Sequence, residues 1–388
     1  MNRIYLDYSA TTPVDPLVIG AMAASLKSDF GNASSVHSFG REARAMLELS
    51  RDRVAHFIGA RSDELFFTSG GTEADNNALK GLAAAGARKG KNEVITTVVE
   101  HHAILQPAES LHKAGFEVRF LPVDGDCQVD PDALRRSISS KTAVISVMLA
   151  NNEVGTLNRI REISEIARSA GIPVHTDAVQ AAGKIRLDVG ELGVDVLSLS
   201  AHKMYGPKGI GAIFIRKGTQ IDPLLEGGSQ ESNRRAGTES VPLAVGFGKA
   251  AEIAEARLAS DYEEASRLCG ILRKRLAGEF AGFLFNGHPS ERLPHIISIS
   301  FDSSVRALDG DAIIMGMDLE GVAVTSGSAC TSGSLQPSHV LQAMGRNERT
   351  ARATVRFSLG RATTEDEVNR AVAALMRVVE RVGRASAR

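Results

Sequence analysis

Short apolar runs alternate with amphipathic segments through the first 220 residues of the chain. Seven runs are nearly continuous in Val, Ile, Leu, Phe and Ala, which is typical of strands buried on both faces. The intervening segments carry apolar residues at helical spacing, as in 40–58, 72–87 and 160–170. Strands alternating with helices predict a mostly parallel sheet covered on both faces. The predicted strands span residues 65–68, 94–99, 116–121, 143–149, 173–177, 194–199 and 210–215.

The pattern changes near Val241. A long helical segment runs past Tyr262 and is predicted to form two helices. Two strands and two helices are predicted beyond it, near 295–301, 353–358, 309–319 and 364–382. We therefore predict an α/β fold with a large domain over 15–257, which contains the seven-stranded sheet, and a smaller α+β domain formed by 1–14 and 258–388.

Composition narrows the classes of partner. The chain has 388 residues and a formal net charge of −1, so neither nucleic acid nor an anionic membrane is an expected partner. Cys127, Cys269 and Cys330 are too widely spaced for a disulfide framework, which favours a reducing cytoplasm. No Cys-x-x-Cys or His-x-x-x-His pattern is present, so no metal site is expected.

One stretch, residues 200–209 (SAHKMYGPKG), combines a lysine with a glycine- and proline-rich turn directly after a buried strand. A desolvated lysine loses its proton readily and becomes an amine nucleophile. Such an amine suits a Schiff base with pyridoxal phosphate (PLP). The alternative is a surface lysine in a glycine turn, and Lys203 alone does not decide between them.

Polar residues follow several other predicted strands. Gly70 and Gly71 precede a helix whose free N–H groups and dipole suit a phosphate, although an ordinary capped helix start explains them equally well. His101 lies where a ring can stack on a cofactor or move protons, whereas His102 is better explained as an exposed or capping residue. Asp177 suits a protonated pyridine nitrogen, or alternatively caps a helix.

Three further segments carry candidate chemistry. The polar stretch 227–239 is too long for a simple connection, so it is either functional or disordered. Residues 326–334 (SGSACTSGS) place Cys330 in a small-residue run, which suits a reactive thiol that must travel. Arg356 lies inside an apolar strand and needs a carboxylate partner, which is either a substrate or a structural acid.

Together these motifs resemble the cysteine desulfurases of the NifS/IscS type, in the class-V aminotransferase family of fold-type-I PLP enzymes. The resemblance extends from residues 5–7 to Arg361 and is closest to the nitrogen-fixation branch. Its most specific parts surround Lys203 and Cys330, and further matching segments are 99–101 (VEH), 150–156 (ANNEVGT), 175–180 (HTDAVQ) and 234–239 (RRAGTE).

The resemblance implies three catalytic residues. Lys203 forms the Schiff base with PLP, His101 stacks on the pyridine ring and moves protons, and Cys330 is the nucleophile that becomes a persulfide. Asn152 and Arg356 bind the substrate, the latter through its carboxylate. The cofactor-binding residues implied are Gly71, Thr72, His101, Asn152, Asp177, Gln180, Ser200, His202, Lys203 and Thr238.

The implied reaction converts L-cysteine to L-alanine and passes the sulfur to an acceptor or iron–sulfur scaffold protein. The resemblance also implies a cytoplasmic homodimer in which Thr238 completes the partner subunit's site. The only metal contact it allows is a transient one between Cys330 and a nascent iron–sulfur cluster. Two alternatives remain open at this point: a selenocysteine lyase or aminotransferase that shares the Lys203 site, and a sulfur-relay or scaffold protein with little turnover of its own.

Overall fold

The computed structural model describes residues 3–279, 282–327 and 337–386. Strands and helices are numbered in chain order. The strands are β1 (Ile4–Tyr5), β2 (Leu65–Thr68), β3 (Glu93–Thr97), β4 (Glu117–Leu121), β5 (Thr142–Ser146), β6 (Val174–Asp177), β7 (Val196–Ser200), β8 (Gly211–Ile215), β9 (Phe283–Asn286), β10 (Ile296–Phe301), β11 (Val322–Ala323) and β12 (Thr354–Ser358).

Helices surround these strands. They are α1 (Pro16–Ser28), α2 (Ser38–Phe57), α3 (Gly71–Ala87), α4 (His102–Lys113), α5 (Pro131–Ser137), α6 (Ile160–Ser169), α7 (Val189–Leu192), α8 (Gln230–Asn233), α9 (Val241–Glu279), α10 (Gly310–Leu319), α11 (His339–Ala343), α12 (Glu348–Arg352) and α13 (Glu365–Ser386).

Seven strands form one sheet in the order β2-β8-β7-β6-β5-β3-β4. Five of them, from β7 to β4, pair in parallel, whereas β8 runs antiparallel to both of its neighbours. The predicted α/β fold with a large, mostly parallel seven-stranded sheet is therefore confirmed. The strands are shorter than predicted: the run 143–149, for example, is paired only as Thr142–Ser146 in β5.

Successive strand residues face opposite sides of this sheet. Val94 and Val144 pack with α3 and α4 on one face. Ile95 and Ile145 belong to a larger core on the other face, which α2, α6 and the first half of α9 cover. Helices on both faces explain why these strands are continuously apolar in sequence.

A second hydrophobic core lies outside the large sheet. The antiparallel sheet β12-β10-β9 and the parallel pair β1-β11 surround it, and α13 and α10 pack against it. The sequence does not predict the strands β1, β9 and β11, because two-residue pairs and a strand whose apolar residues are only partly buried leave little periodic signal. The predicted domain limits at 15–257, and at 1–14 with 258–388, stay a prediction.

A single helix, α9, joins the two cores. The prediction of two helices here is wrong: α9 is continuous for 39 residues, from Val241 to Glu279. Its first half buries Phe247 and Ala251 in the large core, and its second half buries Leu268 and Leu272 in the smaller one. The two halves of α9 bury different faces, and in sequence this change resembles a break between two helices. The helix contains no proline beyond Pro242, its second residue, so nothing interrupts it.

Candidate active site

The carboxyl ends of β3, β5, β6 and β7 lie along one edge of the large sheet, where ligands bind in open α/β folds. Lys203 ends a 3-10 turn directly after β7, and Asp177 is the last residue of β6. His101 caps the start of α4, four residues after β3, and Asn152 follows β5. Strand pairing thus brings together side chains that are far apart in sequence.

The Lys203 amine points at the chain's N-terminal segment. Its Nζ donates hydrogen bonds to the carbonyl oxygens of Ser9 at 2.5 Å and Ala10 at 2.9 Å. Thr12 holds the same turn, because its hydroxyl donates to the His202 carbonyl at 2.9 Å and accepts from the Tyr205 N–H at 2.8 Å. Lys203 is accordingly half-buried and tethered, rather than projecting into solvent.

The start of α3 suits a phosphate, and we call it the candidate phosphate cradle. A Cβ added at Gly71 would lie 2.8 Å from Val179 Cγ2 and 3.5 Å from Ser200 Cβ, so only glycine allows this approach. In the described part of the chain, no side chain caps this helix start, which leaves its first N–H groups for a ligand. Thr72 is exposed there, and Ser200 is buried beside it.

His202 lies at the same edge. Its Nδ1 is 3.1 Å from the Thr11 hydroxyl. Burial and the nearby Lys203 charge lower the pKa of His202 to about 4. The imidazole is therefore neutral at neutral pH, and it offers a hydrogen bond rather than a charge to a phosphate.

Asp177 provides the acidic end of the site. The residue is buried, and its Oδ1 accepts a hydrogen bond from the Val179 N–H at 2.8 Å. Burial raises the pKa of Asp177 to about 6, although the Lys203 charge favours ionisation. Gln180, one turn further on, donates from Nε2 to the Ser9 carbonyl at 2.9 Å, beside the Lys203 amine.

His101 is uncharged in this environment. Burial and the Lys203 charge lower the pKa of His101 to about 4. Its Nδ1 accepts a hydrogen bond from the Ala103 N–H at 3.1 Å, so Nε2 carries the ring proton. A neutral, oriented imidazole suits stacking on an aromatic cofactor.

Two further buried acids, Asp75 and Glu100, interact electrostatically with Asp177, and sequence reasoning missed both. Burial and the Asp177 charge raise the pKa of Asp75, and burial raises that of Glu100 to about 8. His175 lies 3.6 Å from Asp75 and hydrogen bonds to the Ser146 and Ser198 hydroxyls at 2.9 Å each. A protonated pyridine nitrogen next to Asp177 would favour ionisation of that carboxyl.

Arg356 is buried in β12. Its Nη2 lies 2.9 Å from Asp7 Oδ1, and its Nη1 donates to the Asn152 carbonyl at 2.7 Å. The structure therefore supplies a structural acid for this arginine, which was one of the two alternatives. The contact also brings Arg356 next to Asn152, the other predicted substrate-binding residue.

The cysteines divide into two groups. Cys330 lies outside the described residues. Cys127 and Cys269 are buried, and burial raises the pKa of both thiols, that of Cys269 to about 12. Neither thiol is therefore suited to form a reactive thiolate.

These residues fit PLP. One edge of the sheet carries the half-buried amine of Lys203, the buried carboxyl of Asp177 and the neutral imidazole of His101. The start of α3, which accepts only glycine at residue 71, lies at the same edge. The family model for aminotransferase class-V matches residues 4–371. The chain belongs to this family. Its members depend on PLP, so the predicted cofactor is confirmed.

Relatives narrow the assignment within the family. The chain is 48% identical to the cysteine desulfurase IscS of Dictyoglomus turgidum, over 98% of this chain and 95% of that protein. It is 44% identical to the IscS of Methanosarcina thermophila, over 98% of this chain and 93% of that protein. The predicted NifS/IscS type and the predicted PLP-dependent cysteine desulfurase activity are confirmed.

Solved structures agree. A NifS-like protein superposes with a TM-score of 0.90 at 35% identity, covering 97% of this chain and 99% of that one. A structure described as SspA in complex with cysteine has a TM-score of 0.82 at 32% identity, covering 93% of this chain and 100% of that one. Among the described helices, none combines the length and apolar composition needed to span a bilayer.

Proposed function

We propose that this chain takes sulfur from L-cysteine, releases L-alanine, and holds the sulfur as a persulfide on Cys330 before passing it to an acceptor protein. The observation that carries the site assignment is the convergence of Lys203, His101 and Asp177 at one sheet edge, with Arg356 in contact with Asn152, which follows β5. Iron–sulfur cluster assembly is the proposed use of the sulfur, because the relatives are named IscS.

Each residue has a proposed part in the reaction. Bound PLP supplies an electron sink for the substrate's Cα. Arg356 binds the substrate carboxylate, Asn152 lies beside the cofactor and the substrate, and the Lys203 amine removes the Cα proton. Asp177 keeps the ring nitrogen protonated, while Gln180 contacts the phenolic oxygen. Gly71, Thr72, Ser200 and His202 hold the phosphate.

The sulfur step belongs to Cys330. Its thiolate attacks the sulfur of the bound cysteine, so an S–S bond forms as the Cβ–S bond breaks. The electron pair of that bond stays with the carbon skeleton, which takes up one proton at Cβ and regains one at Cα to become alanine. The persulfide on Cys330 is then available to a thiol or to an iron–sulfur scaffold protein.

The working unit that we propose is a cytoplasmic homodimer. Thr238 of each subunit reaches the phosphate held by Gly71, Thr72, Ser200 and His202 of the other. The cytoplasmic location rests on the small number and wide spacing of the cysteines.

Exchange of the proposed nucleophile tests the sulfur step. We expect Cys330→Ala to keep the yellow cofactor and to bind L-cysteine, but to lose sulfide and alanine production by about 100-fold or more, since nucleophilic catalysis is removed. Cys127→Ala is the matched control, because burial already keeps that thiol protonated. Full sulfide production by the Cys330 variant would contradict the assignment.

A further inference from the structure

The segment that carries Thr238 is held by a buried ion pair. The Thr238 segment (residues 227–239) lies between β8 and α9, and Glu231 within it is only 4% exposed. Arg51 of α2 is 6% exposed and binds both carboxylate oxygens of Glu231, at 2.6 and 2.7 Å. The Phe67 N–H of β2 donates to the same carboxylate at 2.7 Å. Three short charge-assisted bonds thus join this loop to the large core.

The backbone at this anchor adopts a conformation that these residues do not favour. Glu231, Ser232 and Asn233 have φ angles of 46°, 54° and 64°, all in the left-handed region. Non-glycine residues seldom adopt this conformation, and three in succession persist only where surrounding contacts impose it. The Arg51–Glu231 pair is a buried contact at the first of these three residues.

Contacts lead from this anchor to Thr238. Gln230, next to Glu231, accepts a hydrogen bond on its side-chain oxygen from the Gly237 N–H at 3.1 Å, and Thr238 follows directly. Arg235 binds Glu73 in the first turn of α3, at 2.8 Å. Thr238 is therefore linked to the anchor at Glu231 through Gly237 and Gln230, and to α3 through Arg235.

The described residues supply no hydrogen-bond donor to Glu239, the last residue of the segment. Thr238 is exposed. Both carboxylate oxygens of Glu239 are buried, yet the described part of the chain offers them no hydrogen bond. A buried carboxylate without a hydrogen-bond donor is unfavourable, and a donor from a second subunit would satisfy it.

We infer that the Arg51–Glu231 pair positions Thr238 for the cofactor phosphate of the partner subunit, so that Arg51 and Glu231 support a site to which they do not belong. This inference rests on the proposed homodimer with Thr238 acting across the interface. Arg51 and Glu231 are positioning residues, because they act through the segment and not on the reacting atoms.

Hybrid dimers show whether Glu231 affects the PLP bound by the partner subunit or the PLP bound by its own subunit. Two tagged copies of the chain are co-expressed, and one of them carries Lys203→Ala, so that the visible absorbance of lysine-bound PLP reports only the other subunit. In the trans hybrid, a wild-type subunit is paired with a K203A/E231Q subunit. In the cis hybrid, an E231Q subunit is paired with a K203A subunit. The reference pairs wild type with K203A, and the rate of PLP release is measured in each.

The inference predicts faster release in the trans hybrid alone. Loss of one hydrogen bond to a charged phosphate corresponds to about a 10- to 100-fold faster release. The cis hybrid is expected to release PLP at the reference rate. Equal acceleration in both hybrids would reveal a merely structural pair, and unchanged rates in both would also overturn the inference.

Two further variants complete the design. Glu48→Gln is the matched control, because Glu48 also pairs with Arg51, at 3.0 Å, but lies on α2 outside the segment; it is expected to leave release unchanged. If E231Q does not fold, Gln230→Ala cuts the link to Gly237 instead and is expected to act in trans. Equal rates with Gln230→Ala in both arrangements would overturn the inference.

Thr238→Ala in the same hybrids tests the underlying proposal separately. Acceleration by T238A in trans, without acceleration by E231Q, would reject the positioning role and keep the proposed dimer. Acceleration by T238A in cis only would reject the shared site itself, and the positioning inference with it.

Discussion

At the scale of single residues, burial and charge oppose one another at Asp177. Burial raises its pKa to about 6 in the protein without PLP. Burial also raises the pKa of the neighbouring acids Asp75 and Glu100, so both favour their neutral forms, whereas the Lys203 charge favours ionisation of Asp177. A carboxyl in this environment is ready to ionise as soon as a cation, such as a protonated pyridine ring, lies beside it.

The raised pKa of Asp177 predicts that the stability of the cofactor-free protein depends on pH. Asp177 has a usual pKa of 3.8 and a folded-state pKa of about 6. Its contribution to stability is complete below about pH 4 and is lost as the pH rises to about 6, because the unfolded chain releases the proton first. We expect the cofactor-free wild type to lose about 1–3 kcal/mol relative to Asp177→Asn over this range.

Urea unfolding of both cofactor-free proteins at several pH values measures the difference. Asp177→Asn has no titrating group at this position. The difference in free energy of unfolding between the two proteins therefore cancels the contributions of the groups that they share. A stability difference that stays constant from pH 4 to 7 would contradict the raised pKa.

Single residues also mark the limit of sequence reasoning at this site. The motifs around Lys203, His101 and Asp177 predicted residues that the structure does place at one edge of the sheet. The carbonyl groups of Ser9 and Ala10, and the Asp7 partner of Arg356, went unpredicted because they come from a segment about 190 residues or more away from Lys203 and Arg356. Such contacts are set by tertiary packing and leave no periodic pattern.

At the scale of elements, the start of α3 depends on the absence of one side chain. Gly71 lies where a Cβ would approach Val179 Cγ2 to 2.8 Å. Its neighbour on the other side is Ser200, at the end of β7. The helix N-terminus and the strand end therefore meet only because residue 71 is glycine.

Gly71→Ala tests this close approach. The added methyl group is expected to cost about 1–3 kcal/mol by overpacking, and to weaken PLP binding by about tenfold or more as the helix start shifts away from Ser200. Gly20→Ala in α1 is the control, because a Cβ there meets nothing within 4 Å. That substitution should stabilise the protein by about 0.5–1 kcal/mol. Unchanged PLP affinity in the Gly71 variant would show that the cradle lies elsewhere.

At the scale of the whole molecule, α9 connects two hydrophobic cores that otherwise have separate members. Arg361, which follows β12, adds a second link through Asp261 of α9 at 2.6 Å and Asp15 at 3.4 Å. A continuous helix transmits rigidity between the cores, so their unfolding is expected to be cooperative.

Ala259→Pro in the exposed middle of α9 tests that cooperativity. Proline in a helix interior costs about 3 kcal/mol, and here it would also interrupt the only helix shared by the two cores among the described residues. We expect two calorimetric transitions in place of one. Ala259→Gly is the control, with a cost of about 1 kcal/mol and a single transition. A single transition in the proline variant would contradict the coupling through α9.

The sequence by itself determined the elements of the large sheet, the family and the chemistry, because strand periodicity and the motifs around Lys203 and Cys330 are local properties of the chain. The tertiary structure decided what distant segments do to one another. It placed β8 antiparallel, made α9 one helix, enclosed Asp177 with Asp75 and Glu100, and gave Glu231 its Arg51 partner 180 residues away. Burial and pairing depend on which segments pack together, and only the folded chain brings those segments into contact.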